Sequence, residues 1–159
     1  AVRPDMQHHG LAALLLGEVI RYADQHKLMI SLETHNPDNV PLYEHFGFKV
    51  FGGKDTLLYA SMCHGAVGGV CTAANFMPEL ITDVYNKFAA GDLQGSLEAQ
   101  FKLNPVRLAM DPASFPVAAK DMAALRGRDV GAPYRPSLPT PEGPAKEGFR
   151  RTMSEAGLI

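Results

Sequence analysis

Gly10 closes a short polar loop, Gln7-His8-His9-Gly10, and an apolar run starts directly after it at Leu11-Ala12. A glycine just ahead of a helix lets backbone amides approach a diphosphate, and the positive end of the helix dipole favours its charge. Other groups have weaker claims to chemistry. Glu33 exits a predicted strand and Glu44 rides an exposed helix, so both read as solvated surface. A reactive lysine needs a desolvated pocket to lose its proton near neutral pH. Lys54 follows two glycines at an exposed strand exit and reads as a solvated cation. His8 and His9 are adjacent and point apart, while His26, His35, His45 and His64 lack the i,i+4 or Cys partners of a zinc site. No metal is expected. Cys63 and Cys71 form neither a disulfide framework nor a metal motif and are expected to be buried thiols in a reducing, cytoplasmic compartment.

The elements that must hold these groups alternate at first. Val2-Arg3-Pro4 reads as a strand end, because proline forces its predecessor into extended geometry. Leu11, Leu14, Leu15, Val19, Tyr22 and Ala23 recur at helical spacing, which predicts a helix to about Gln25 with one buried face. Leu28 to Leu32 reads as a strand, Asn36 to Asn39 as a turn, and Pro41 as the first turn of a short helix that Gly47 stops. Phe48 to Phe51 alternates as a strand does. Beyond it a short helix is expected over Thr56 to His64 and a strand of small residues over Ala66 to Cys71. Helices then follow from Pro78 to about Ala90, from Leu93 to Met110 with a kink or break at Pro105, from Pro116 to Leu125, and from Lys146 to Ala156. Pro133, Pro136, Pro139, Pro141 and Pro144 make the stretch from Val130 an extended connection.

The bulk numbers allow a folded protein. Of the 159 residues 46% are apolar and 20% charged, and the net charge of -2 gives no basic footprint for nucleic acid. Leu11 to Leu16 is far too short to span a bilayer, so no membrane partner is expected. No secretory leader is visible, and the opening at Ala1, in mid-pattern, reads as a processed or truncated start.

Gln7-His8-His9-Gly10-Leu11-Ala12 resembles the Q/R-x-x-G-x-G/A loop of the GNAT acetyltransferase family. Asn36, Leu42-Tyr43-Glu44 and Gly47-Phe48 resemble that family's N…LYE..GF block. The resemblance covers about residues 2 to 51. It implies an acetyl-CoA cofactor with Gln7, His8, His9, Gly10, Leu11 and Ala12 around the diphosphate and Asn36 near the pantetheine arm. It also implies Tyr43 as the acid that protonates the leaving thiolate, although an aromatic beside Gly-Phe is as readily a core residue. The partners implied are a small-molecule acyl donor and an amine acceptor. The family's front half, with the acceptor groove, does not precede these blocks.

From Phe48 onward the chain resembles the dihydrodipicolinate synthase and N-acetylneuraminate lyase family. Phe48 to Asp55 is similar to its seventh barrel strand and G-x-D exit, and Gly65-Ala66-Val67-Gly68-Gly69-Val70 with Ala74-Asn75 to its eighth. Pro78-Glu79-Leu80, Ala89 to Asp92, Phe115-Pro116-Val117, Tyr134 to Pro139 and Gly157-Leu158-Ile159 continue the similarity in order. Members bind pyruvate as a Schiff base on a lysine in an I-K-x-S-like motif on strand six, and this chain has no such motif. Two strands cannot close a barrel that takes ~250 residues.

The expected fold is therefore α/β: a partial GNAT-like βαβαβ segment at 1–51, followed at 52–159 by the last βα units and C-terminal helices of a TIM-barrel aldolase. The primary functional expectation is an acetyl-CoA-binding N-acetyltransferase remnant. The alternatives are a class I keto-acid aldolase or lyase by descent, and a non-catalytic fusion. An open strand edge at the junction predicts self-association.

Overall fold

The computed structural model describes residues 2–6, 9–128, 130–131, 141 and 143–159. Residues Ala1–Leu42 and Tyr43–Ile159 form two compact units.

In the first unit, α1 runs from Leu11–His26, as its periodicity predicts. Gly10 precedes it in the left-handed region at φ 74°, a conformation that suits glycine. The expected buried face is not formed: Ala23 is the helix's one buried residue, while Leu14 and Tyr22 are 64% and 58% exposed. The strand expected at Leu28 to Leu32 is absent, and these residues carry no regular structure. A helix face and a strand bury each other only when both have a layer to pack on, and among the described residues of this unit no second layer forms. The turn at Asn36 does form. Its Oδ1 accepts the Asp38 N–H at 3.0 Å and caps a 3-10 turn over Pro37–Asn39. Helix α2, Val40–His45, begins here and continues past Leu42 into the second unit, where Gly47 ends it at φ 85°.

The second unit is mostly helical. Its helices are α3 (Leu58–Cys63), α4 (Pro78–Ala89), α5 (Leu93–Leu108), α6 (Phe115–Leu125) and α7 (Pro144–Glu155). Punctuation explains their ends. Pro78 and Pro116 occupy first turns, and Gly91, Gly127 and Gly157 take positive φ just past the helix ends. The Asp92 carboxylate caps α5 by accepting the Gly95 N–H at 2.9 Å. Of the kink or break expected at Pro105, the break does not occur, since α5 continues through it. The carbonyl that its missing N–H leaves free belongs to Phe101, an exposed residue where water can donate instead.

The core sits among these helices. Phe76, Met77, Leu103, Val106, Met110, Met122, Phe149 and Met153 form one buried cluster, joined by α5, α6, α7 and the turn before α4. A second cluster joins Leu58 and Met62 of α3 to Val84 of α4 and Ala99 of α5. Residues 132–140, which hold most of the proline-rich stretch, lie outside the described residues.

The strands expected at Phe48 to Phe51 and Ala66 to Cys71 are reduced to a short parallel ribbon with one bridge, Gly52 to Gly69. The Gly52 N–H donates to the Gly68 carbonyl at 2.9 Å, and Val70 N–H donates to the Gly52 carbonyl at 2.8 Å. Val67 N–H donates to the Val50 carbonyl at 2.9 Å. From Val50 to Gly52 one segment advances two residues while its partner advances three, from Val67 to Val70. The extra residue is a bulge at the glycine pair, and it interrupts what would otherwise be a ladder.

Candidate functional site

The ribbon's first segment delivers Gly53, Lys54 and Asp55 to its carboxyl end, the end at which barrel enzymes place their chemistry. Asp55 turns inward there and is 3% exposed. Its Oδ2 accepts the Ala73 N–H at 3.2 Å and lies 3.0 Å from Nε of Arg107 on α5. The Arg107 guanidinium also donates to Asp111 at 2.7 Å. A buried carboxylate survives when a cation and an N–H compensate its lost hydration, as they do here.

Gln100 extends the arrangement. Its Oε1 accepts the Tyr59 N–H at 2.9 Å, and its Nε2 donates to the Asp55 carbonyl at 3.0 Å and to Asn104 at 2.6 Å. Cys71 stands beside the same carboxylate. Burial, then the Asp55 charge and a hydrogen bond to it, push the thiol up to about 12. The site is thus a rigid support: one carboxylate fixes the exits of both ribbon segments to α5. Lys54 lies next to it in the chain but is exposed, as its two preceding glycines suggested.

Close packing explains two of the glycines. A Cβ on Gly52 would lie 2.9 Å from Ser61 Cβ of α3, and one on Gly69 would lie 2.6 Å from Leu58 Cδ1 and 3.3 Å from the Gly52 carbonyl. Helix α3 therefore rests directly on the ribbon's backbone.

The site residues expected from sequence are Gln7, His8, His9, Gly10, Leu11, Ala12, Asn36 and Tyr43. Gln7 and His8 lie outside the described residues. His9 and Gly10 are exposed, and Leu11 and Ala12 are half-buried in the first turn of α1. Asn36 serves the turn described above. Tyr43 packs edge-on against Phe48, with ring centroids 6.1 Å apart. The expected burial of both thiols also fails, since Cys63 is exposed at the end of α3 and only Cys71 is half-buried. Sequence reasoning passed over Arg107, Gln100 and the inward turn of Asp55. No periodicity or motif links these positions, which only the fold brings together.

A parallel ribbon with a helix between its segments, covered by further helices, is the arrangement of consecutive βα units in a (β/α)8 barrel. The model of the dihydrodipicolinate synthetase family matches residues 34–156, and the chain belongs to that family. The model of the acetyltransferase (GNAT) family matches residues 1–48, so the block from Asn36 to Phe48 falls within both. An uncharacterized DapA-like lyase of Thermoplasma acidophilum is 35% identical over 109 residues, covering 68% of this chain and 37% of that protein. The 4-hydroxy-tetrahydrodipicolinate synthase of Methanopyrus kandleri is 30% identical over 112 residues, covering 70% of this chain and 37% of that enzyme. The crystal structure of dihydrodipicolinate synthase from Thermotoga maritima superposes with a TM-score of 0.66 at 25% identity, covering 70% of this chain and 38% of that one. The chain thus spans about two fifths of the length of the relatives it matches.

These findings correct the primary expectation. Acetyl-CoA-dependent N-acetyl transfer is not the function the chain's relationships support, and acetyl-CoA is not its cofactor. The match that suggested them ends at residue 48, whereas the lyase-family match covers most of the chain and its structural neighbours are aldolase barrels. The expected α/β fold is corrected too, because the GNAT-like strands do not form and helices dominate.

Proposed function

We propose that this chain supplies the rear βα units of a class I keto-acid lyase, supporting the chemistry without carrying its lysine. The observation that carries this reading is the carboxyl-end anchor, in which buried Asp55 holds both ribbon exits against α5 through Ala73 and Arg107. Preorganised scaffolding of this kind keeps catalytic groups on neighbouring strands in place. The resemblance implies pyruvate or a related keto acid as the ligand of the complete site. Residues 1–51 then read as an acetyltransferase-family segment by descent, fused to the lyase-family segment at 52–159. That reading draws on the family match to residues 1–48. Two free thiols, Cys63 and Cys71, suit a reducing cytoplasmic setting.

A graft tests the reading. Residues 48–159 replace the matching segment of the Methanopyrus kandleri synthase, and borohydride trapping of labelled pyruvate is measured. The expected result is a folded graft that still traps pyruvate, while the chain alone traps none. A folded graft without trapping, or trapping on Lys54 of the isolated chain, overturns the proposal.

A further inference from the structure

We propose that the cavity between α6 and α7 is a binding site for a small carboxylate with an apolar body. None of its lining residues belongs to the ribbon or to the Asp55 anchor, so the assignment does not depend on the lyase reading.

Sequence spacing builds the cavity. Asp121, Ala124 and Leu125 stand at i, i+3 and i+4 on α6, and Lys146, Phe149 and Arg150 repeat that spacing on α7. Residues three and four apart share one face of a helix, so each helix presents a three-residue face to the same space. The two faces line a cavity of about 280 Å³. That is close to the lower end of small-molecule sites, which start at about 300 Å³. Phe149, whose ring belongs to the buried core, and Leu125, packed against that core, give it an apolar floor.

The rim carries the charge. Lys146 and Arg150 are one turn apart on α7, and like charges at that spacing repel each other. Among the described residues Arg150 has no ion-pair or hydrogen-bond partner, although Glu147 lies only three residues before it. Nζ of Lys146 lies 4.0 Å from Oδ2 of Asp121, whose side chain is 12% exposed on the cavity wall. The pair is close enough to draw the ammonium over the cavity and to offset the Asp121 charge. It is too long for a hydrogen bond, so the ammonium keeps its donors for another acceptor.

Together these features select the ligand. A carboxylate at the rim accepts from Lys146 and from the Arg150 fork, and it turns their mutual repulsion into attraction. The apolar floor takes a hydrocarbon or aromatic body, which inorganic phosphate does not offer. A neutral molecule of the same shape fills the floor and leaves both cations unanswered.

The test titrates the isotopically labelled full chain with phenylacetate and follows its backbone amide resonances. The controls are 2-phenylethanol, the uncharged analogue, and inorganic phosphate, the anion without an apolar body. The expected result is saturable binding in the roughly millimolar range, as suits so small a ligand, with shifts centred on α6 and α7. Both controls bind at least about tenfold more weakly, the worth of a charge-assisted hydrogen bond. Lys146→Gln and Arg150→Gln each weaken phenylacetate by about the same factor without moving the unfolding midpoint, because both side chains are exposed. Ala124→Phe, also at an exposed position, fills the cavity and abolishes binding while the chain stays folded. A folded chain that shows no saturable shift overturns the proposal. So does phosphate or 2-phenylethanol binding as tightly as phenylacetate, or phenylacetate binding that survives Ala124→Phe.

Discussion

Asp55 and Arg107 are distant in sequence, yet Oδ2 of the first lies 3.0 Å from Nε of the second. The pair locks the exit of the ribbon's first segment to the middle helix of the second unit. Removing Arg107 leaves Asp55 as a buried charge without its cation, which costs about 3–5 kcal/mol. Arg107→Met is therefore expected to lower the stability of the second unit by about that amount in urea titration. The double variant Asp55→Ala/Arg107→Met should cost clearly less than the sum of the single changes. Strict additivity would show that the two side chains do not act on each other.

Gly52 and Gly53 are neighbours with opposite surroundings. A Cβ at Gly52 meets the Cβ of Ser61, whereas one at Gly53 meets nothing within 4 Å. Gly52→Ala should therefore destabilise by about 1–3 kcal/mol, the usual range for overpacking, and Gly53→Ala should be close to neutral. Equal effects would mean that α3 does not rest on the ribbon.

The two thiols should react unequally. Cys63 is exposed, whereas Cys71 titrates at about 12 because burial and then Asp55 disfavour its thiolate. Mass spectrometry after iodoacetamide at pH 8 should find Cys63 alkylated and Cys71 intact until the chain unfolds. The raised folded value also carries a sign for stability. The neutral thiol's contribution is fully present below the unfolded pKa and is lost as pH rises toward about 12. Cys71→Ala should flatten the alkaline limb of the stability profile, and an unchanged limb would remove Cys71 as its source.

Helix truncations separate the working core from apolar residues that face water. Leu103 is fully buried, and Leu103→Ala should cost about 2–5 kcal/mol. Leu14 on α1 is largely exposed, and Leu14→Ala should change stability by less than about 0.5 kcal/mol. A large loss at Leu14 would require a partner surface for α1.

The helices were legible because their signals are local. Pro78, Asp92, Gly91 and Gly127 mark ends through their own backbone preferences, and α1 shows its apolar spacing without help from any neighbour. The strands were not legible in the same way. Phe48 to Phe51 alternates as a strand should, but a strand is completed by hydrogen bonds to other segments, and only Val50 and Gly52 find them. The glycines at 68 and 69 were read as strand residues, when their lack of side chains permits the bulge that interrupts the ladder. Spacing alone also could not tell whether the face of α1 would be covered, since that depends on a second layer. The Asp55 anchor was invisible for the same reason: Arg107 and Gln100 reach it only after α5 has packed.

The turn at Ala90–Asp92 also sets how local the contacts of this unit are. It joins α4 directly to α5, so Val84 and Ser96, linked through the Ser96 hydroxyl and the Val84 carbonyl at 2.7 Å, meet across a short loop. Closing a short loop costs little chain entropy, and such contacts form early. The pairing of Gly52 with Gly69 encloses α3, and the Asp55 anchor draws on α5. The α4–α5 hairpin thus holds this unit's more local contacts, while Gln100 and Arg107 of α5 reach Asp55 only across much longer stretches of chain.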